Sequence, residues 1–71
     1  MISLYNALFD DIEKSGITKI ECNALFERYG SEFQNNYNLF KDFLLYLEDH
    51  KKIHIVRFDF DSNLFHSVEI L

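Results

Sequence analysis

The side chains of this 71-residue chain best suited to chemistry are Cys22, His50, His54 and His66, followed by a few close groups of carboxylates. Thiolate and imidazole are the usual zinc ligands, but the spacing of these four matches no closed four-ligand site. His50 and His54 also straddle the expected end of a helix, so no metal is expected. A nucleophilic cysteine needs a base or a positive neighbour to become a thiolate. Cys22 stands inside an expected helix with no CxxC partner and only Lys19 nearby, which reads as a structural, inert thiol. Asp10 and Asp11 are adjacent carboxylates with no glycine-rich loop or cleft pattern around them, and read as surface charge. The expectation is therefore no enzyme and no cofactor.

What remains is electrostatic. The formal net charge is −5, from 12 Asp and Glu against 7 Lys and Arg. Proteins that grip phosphate backbones do so with Lys and Arg that displace counterions, so duplex DNA is an unlikely ligand for this balance. Two groups of acidic side chains bear on a partner surface: Asp42, Glu48 and Asp49 in one segment, and Asp59 and Asp61 in the stretch RFDFDSN. His50, Lys51, Lys52 and His54 make a small basic cluster at a turn, where lysines most often serve solubility. The amide-rich SEFQNNYN could read adenine edges, but turn and capping duties explain it more simply.

These residues must be positioned by a small core. Residues 1–71 are expected to form one domain near the lower size limit for folding without disulfides or metal, and 48% hydrophobic residues with 8 Phe and 4 Tyr supply the packing material. Ile2, Tyr5, Leu8, Phe9 and Ile12 recur at helical spacing, and Ser15-Gly16 stops that helix. Thr18-Lys19-Ile20-Glu21 fits a capping box for a second helix running to about Tyr29, with Ile20, Ala24, Leu25 and Phe26 facing inward. A short segment at Ile17 could pair as a strand. Gly30 ends the second helix, and Ser31 to Asn36 makes a turn that can cap a third, from about Asn36 to His50, whose Tyr37, Phe40, Leu44 and Leu47 form a buried stripe.

The period then drops to two. His54, Val56, Phe58 and Phe60 on one strand and Leu64, His66, Val68 and Ile70 on the next share even parity. A three-residue turn at Asp61-Ser62-Asn63 would set Phe60 opposite Leu64, Phe58 opposite His66 and Val56 opposite Val68, with this set inward. His54 and His66 become rim residues of the core. Arg57, near Glu69 and Asp59, is expected to spend its charge within the hairpin. On this register Phe58→Ala would cost about 3–5 kcal/mol.

The expected fold class is thus α+β, with three helices followed by a C-terminal antiparallel β-hairpin. That order resembles the winged helix-turn-helix family over about residues 2 to 70. GITKIECNALFERYG stands where the family has its second helix, NNYNLFKDFLLYLEDH where it has its recognition helix, and KKIHIVRFDFDSNLFHSVEI where it has the wing. The resemblance implies a scaffold used for DNA binding and often for protein contacts. The outer face of the third helix, with Asn38, Lys41, Asp42, Leu45, Glu48 and Asp49, departs from a DNA-reading surface by its acidity.

The third helix also carries a surplus of apolar residues, Leu39, Phe43 and Tyr46, to which Tyr29, Phe33 and Phe65 add. Either they lie deep between helix 1 and the hairpin, or a partner covers them. The functional expectation is a small acidic protein-binding module. Its partner surface would comprise Asp42, Leu45, Glu48, Asp49, Asp59, Asp61, Leu39, Phe43 and Tyr46, docked on the basic, nucleic-acid-binding surface of a host protein complex. An anti-CRISPR or other anti-defence inhibitor from a phage or mobile element is the concrete form of that expectation. The alternative is a winged-helix transcription regulator that binds DNA, as a homodimer through its apolar surplus. Abundant Phe, Ile, Lys, Asn and Tyr with no Pro fit an AT-rich source, and the initiator Met and short length suggest a complete small reading frame. With no run of about 20 apolar residues and no basic leader, a cytoplasmic protein of a bacterial host is expected, without membrane contact.

Overall fold

A computed structural model describes residues 2–59 and 64–71, and these form three α-helices and a three-stranded antiparallel sheet. Helix α1 spans Ile2–Lys14 and buries Tyr5, Leu8, Phe9 and Ile12, the stripe its spacing predicts, while Ile2 at its solvent end stays exposed. It ends where Gly16 takes φ +80°, a left-handed conformation open to glycine at little cost. Helix α3, Tyr37–Asp49, begins as predicted at Asn36, whose Oδ1 accepts the N–H groups of Asn38 and Leu39 at 3.0 and 3.3 Å.

The capping box does not form. Lys19–Glu21 is strand β1, and helix α2 runs only from Cys22 to Tyr29, with Glu21 at its N-cap making no side-chain hydrogen bond. The reason lies at the other end of the chain. Lys19, Ile20 and Glu21 pair with Glu69, Val68 and Ser67, and the Ile70 N–H donates to the Thr18 carbonyl at 2.9 Å. This ladder satisfies the backbone groups of both strands, and Ile20 packs against the core from the strand. Inward positions of α2 shift accordingly to Cys22, Leu25 and Tyr29, leaving Ala24 exposed and Phe26 half-buried.

Past Tyr29 the chain continues into a 3-10 helix, Gly30–Phe33, so Gly30 joins two helical segments instead of simply ending one. A side chain at Gly30 would place its Cβ 3.1 Å from the Phe26 ring, tight enough that the ring would have to shift slightly. The 3-10 helix delivers Phe33 into the core, 5.3 Å from Phe43 and 5.8 Å from Phe40 between ring centroids. Tyr5 of α1 closes the cluster at 5.2 Å from Phe43.

Strands β2 (Ile53–Arg57) and β3 (Phe65–Ile70) complete the sheet in the order β1-β3-β2, so the predicted hairpin is two strands of three. The predicted parity is reversed on β2. Ile53 and Ile55 are the buried residues, paired with Ile70 and Val68, whereas His54 is exposed, Val56 is half-buried and Phe58 is 62% exposed. Val56 faces Ser67, one residue away from the expected Val68. The register then shifts between Val56 and Arg57: Arg57 pairs with Phe65, leaving His66 as the extra residue of a bulge. The bulge breaks the alternation on which the parity argument relied, returning Phe65 to the core and leaving His66 exposed. Leu64, placed in the core by that argument, is 67% exposed. The turn at Asp61-Ser62-Asn63 and the Phe60–Leu64 pairing lie outside the described residues.

Candidate functional site

The predicted partner surface divides once the chain is folded. Asp42, Leu45, Tyr46, Glu48 and Asp49 do lie together, lining one open depression with Lys51. Their helical spacing puts Asp42 and Asp49 two turns apart on one face, about 10 Å along the axis, with Leu45 between them and 42% exposed. Asp42 and Asp49 are both exposed. Asp59 is exposed as well, but it borders a different depression, lined by His54 through Asp59 beside β2. Asp61 lies outside the described residues.

The apolar part of the predicted surface is largely interior. Phe43 is fully buried among Tyr5, Phe33 and Phe40, so it cannot meet a partner. Leu39 and Tyr46 are half-buried and packed on the core. Tyr46 lies 5.1 Å from the Tyr5 ring and 4.2 Å from that of His50, whose Nδ1–H donates to the Tyr46 carbonyl at 2.9 Å. Tyr29, Phe33 and Phe65, counted in the surplus, are buried too. The deep placement is the one realised: α1 and the 3-10 helix cover the second apolar side of α3. Tyr29 also ties α2 to α1, its hydroxyl donating to Asp11 Oδ2 at 2.7 Å; burial first, and that bond second, push its pKa up.

Glu48 differs from its acidic neighbours. Half-buried, it accepts Arg57 Nη2–H on Oε1 at 3.0 Å, and Arg57 Nη1–H and the Ile55 N–H on Oε2 at 3.3 and 3.2 Å. The Arg57 hydrogen bond, opposed by desolvation, holds the Glu48 carboxyl below its ordinary value, and the same bond raises Arg57. The charge of Arg57 is thus used inside the protein, as expected, but by α3 and not by Glu69 or Asp59 within the hairpin. Its guanidinium also stands 5.1 Å from the centroid of Phe65, and the Lys41 ammonium lies 5.0 Å from the same centroid.

Sequence reasoning missed one surface. Phe58 and Leu64, placed inward by parity, instead border an open depression with Asn23, Tyr37, Asn38, Lys41 and Phe65. The apolar residues at both parities of IHIVRF were the available signal. Cys22 is buried, and its thiol is pushed up to about 11 by desolvation. Among the described residues no group of three or more His, Cys, Asp or Glu could hold a metal ion, and no helix is long and apolar enough to cross a membrane. Comparison with protein-family models, curated proteins and solved structures gives no match for this chain.

Proposed function

We propose that this chain is a protein-binding module on a winged-helix-like scaffold, which docks the acidic outer face of α3 on a basic surface of another protein. The observation that carries the reading is the arrangement of α3. Asp42 and Asp49 are exposed on either side of Leu45, while Arg57 is turned onto Glu48 and Lys41 approaches the Phe65 ring. An exposed apolar side chain flanked by carboxylates suits a basic protein face, with charge steering the encounter and the apolar centre adding contact. Basic protein surfaces commonly hold nucleic acid, so docking there would inhibit DNA or RNA loading, as an anti-CRISPR or other anti-defence inhibitor does.

The scaffold part of the reading rests on element order, α1-β1-α2-α3-β2-β3, together with strand order β1-β3-β2. The same order would suit a dimeric DNA-binding regulator. Charge favours the protein partner, because a recognition helix needs donors that reach base edges and phosphates.

The test begins with affinity capture from a bacterial host and identification of the bound protein. Association rates are then measured for the unaltered chain, for Asp42→Asn with Asp49→Asn, and for Asp59→Asn. The α3 pair is expected to slow association severalfold at low salt, with the difference shrinking as salt rises. Unchanged on-rates at low salt would overturn electrostatic docking through α3.

A further inference from the structure

Among the described residues, strand β2 is an edge strand, with a ladder partner on one side only. His54 pairs with Glu69 and Val56 with Ser67, and the Lys52 carbonyl accepts the Leu71 N–H at 3.1 Å. Backbone groups of an antiparallel strand alternate in direction, so the even-numbered residues turn theirs to β3 and Ile53 and Ile55 turn theirs to the open side. Such outward groups are a template on which another strand can add. An open depression lined by His54 through Asp59 lies along this strand.

At Ile55 both outward groups are already taken. Its N–H donates to Glu48 Oε2 at 3.2 Å, and its carbonyl accepts from Arg57 Nη1 at 3.4 Å. The two side chains close on each other through the Oε1–Nη2 and Oε2–Nη1 contacts, so a carboxylate from α3 and a guanidinium from β2 together occupy the middle of the edge. The opposite edge needs no such device: β1 is three residues long and displays Lys19 and Glu21.

We propose that the Glu48–Arg57 clasp is an edge guard, which keeps β2 from pairing antiparallel with β2 of a second copy of this chain. The second copy is the occupant singled out by the strand's own sequence. A two-fold axis at Ile55 sets Ile55 against Ile55, His54 against Val56 and Ile53 against Arg57, so no like charges meet. Ile55 would then exchange N–H and carbonyl with its mate, replacing the two bonds the clasp now supplies. Ile53 and Ile55 of both copies stay on the same side of the joined sheet, so the core of each copy is undisturbed. The inference is independent of what α3 docks to.

The experiment is sedimentation velocity over a concentration series, with hydrogen exchange of the Ile53 and Ile55 amides as the site-specific readout. Glu48→Ala and Arg57→Ala are each expected to self-associate at least about tenfold more tightly than the unaltered chain, with both amides slowing as concentration rises. A cooperatively folded variant of either kind that sediments as the unaltered chain does overturns the guard. So does association without concentration-dependent slowing at Ile55, because the contact then lies elsewhere. If both truncations lose cooperative unfolding, Glu48→Gln carries the same two readouts, since it keeps the side-chain volume and removes the charge that holds Arg57.

Discussion

Phe58 meets His66 edge to face on the solvent side of the sheet, ring centroids 5.0 Å apart and planes at 82°. The pair is the one expected across the two strands, on the opposite face from the one expected. Phe58 is 62% exposed and His66 is the bulged residue, so the contact covers the outer surface and contributes little to the core.

Truncating Phe58 therefore leaves most of the stability intact. Phe58→Ala is expected to cost under about 1 kcal/mol, whereas Phe40→Ala, at a fully buried ring between Phe26 and Phe33, is expected to cost about 3–5 kcal/mol. Urea denaturation of the two variants beside the unaltered chain gives the comparison, and equal losses would place Phe58 in the core after all.

Acid sensitivity has a specific origin at Glu48. Its carboxyl is held below the ordinary value chiefly by the Arg57 hydrogen bond, with the Ile55 N–H adding to it. A carboxylate depressed in the folded state stabilises fully above its unfolded pKa, and that contribution is lost as pH falls through the lower folded value. Glu48→Gln is expected to be less stable than the unaltered chain at neutral pH and to converge with it in acid. Denaturation midpoints taken between about pH 7 and pH 3 check this, and a constant difference across the range would remove Glu48 from the titration.

Cys22 is expected to resist alkylation. Its thiol is buried and pushed up to about 11, so the reactive thiolate is scarce at neutral pH and shielded as well. Iodoacetamide labelling followed by mass spectrometry is expected to be slow in buffer and to accelerate by orders of magnitude in denaturing urea. Rapid labelling of the folded chain would show that the α2 N-terminus opens readily.

Duplex DNA is expected to bind weakly or not at all near physiological salt, given the net charge of −5 and the exposed Asp42 and Asp49 on α3. Fluorescence anisotropy over a salt series measures it. A sub-micromolar affinity falling steeply with salt would favour the regulator over the protein-docking module.

The sequence by itself determined the features whose signals are local. The 3.6-residue spacing in α1 and α3, the stop at Gly16 and the Asn36 cap each depend on a few consecutive residues, and each stands in the structure. The acidic grouping of Asp42, Leu45 and Asp49 was legible for the same reason, since helical spacing alone puts them on one face. Only the tertiary structure decided where pairing is remote. Thr18 to Glu21 carry good capping chemistry, yet β3, nearly fifty residues downstream, draws Lys19 to Glu21 into a strand. In β2 the apolar residues occupy both parities, so no count along the strand could choose a face. The choice fell to Ile53 and Ile55 because the bulge at His66, the burial of Phe65 and the reach of Glu48 to Ile55 and Arg57 are satisfied together in that register. Phe43 likewise could be interior or exposed until Tyr5 and Phe33, from two other segments, closed over it. Burial is decided by the neighbour that arrives in space, and spacing within one element constrains only which residues can share it.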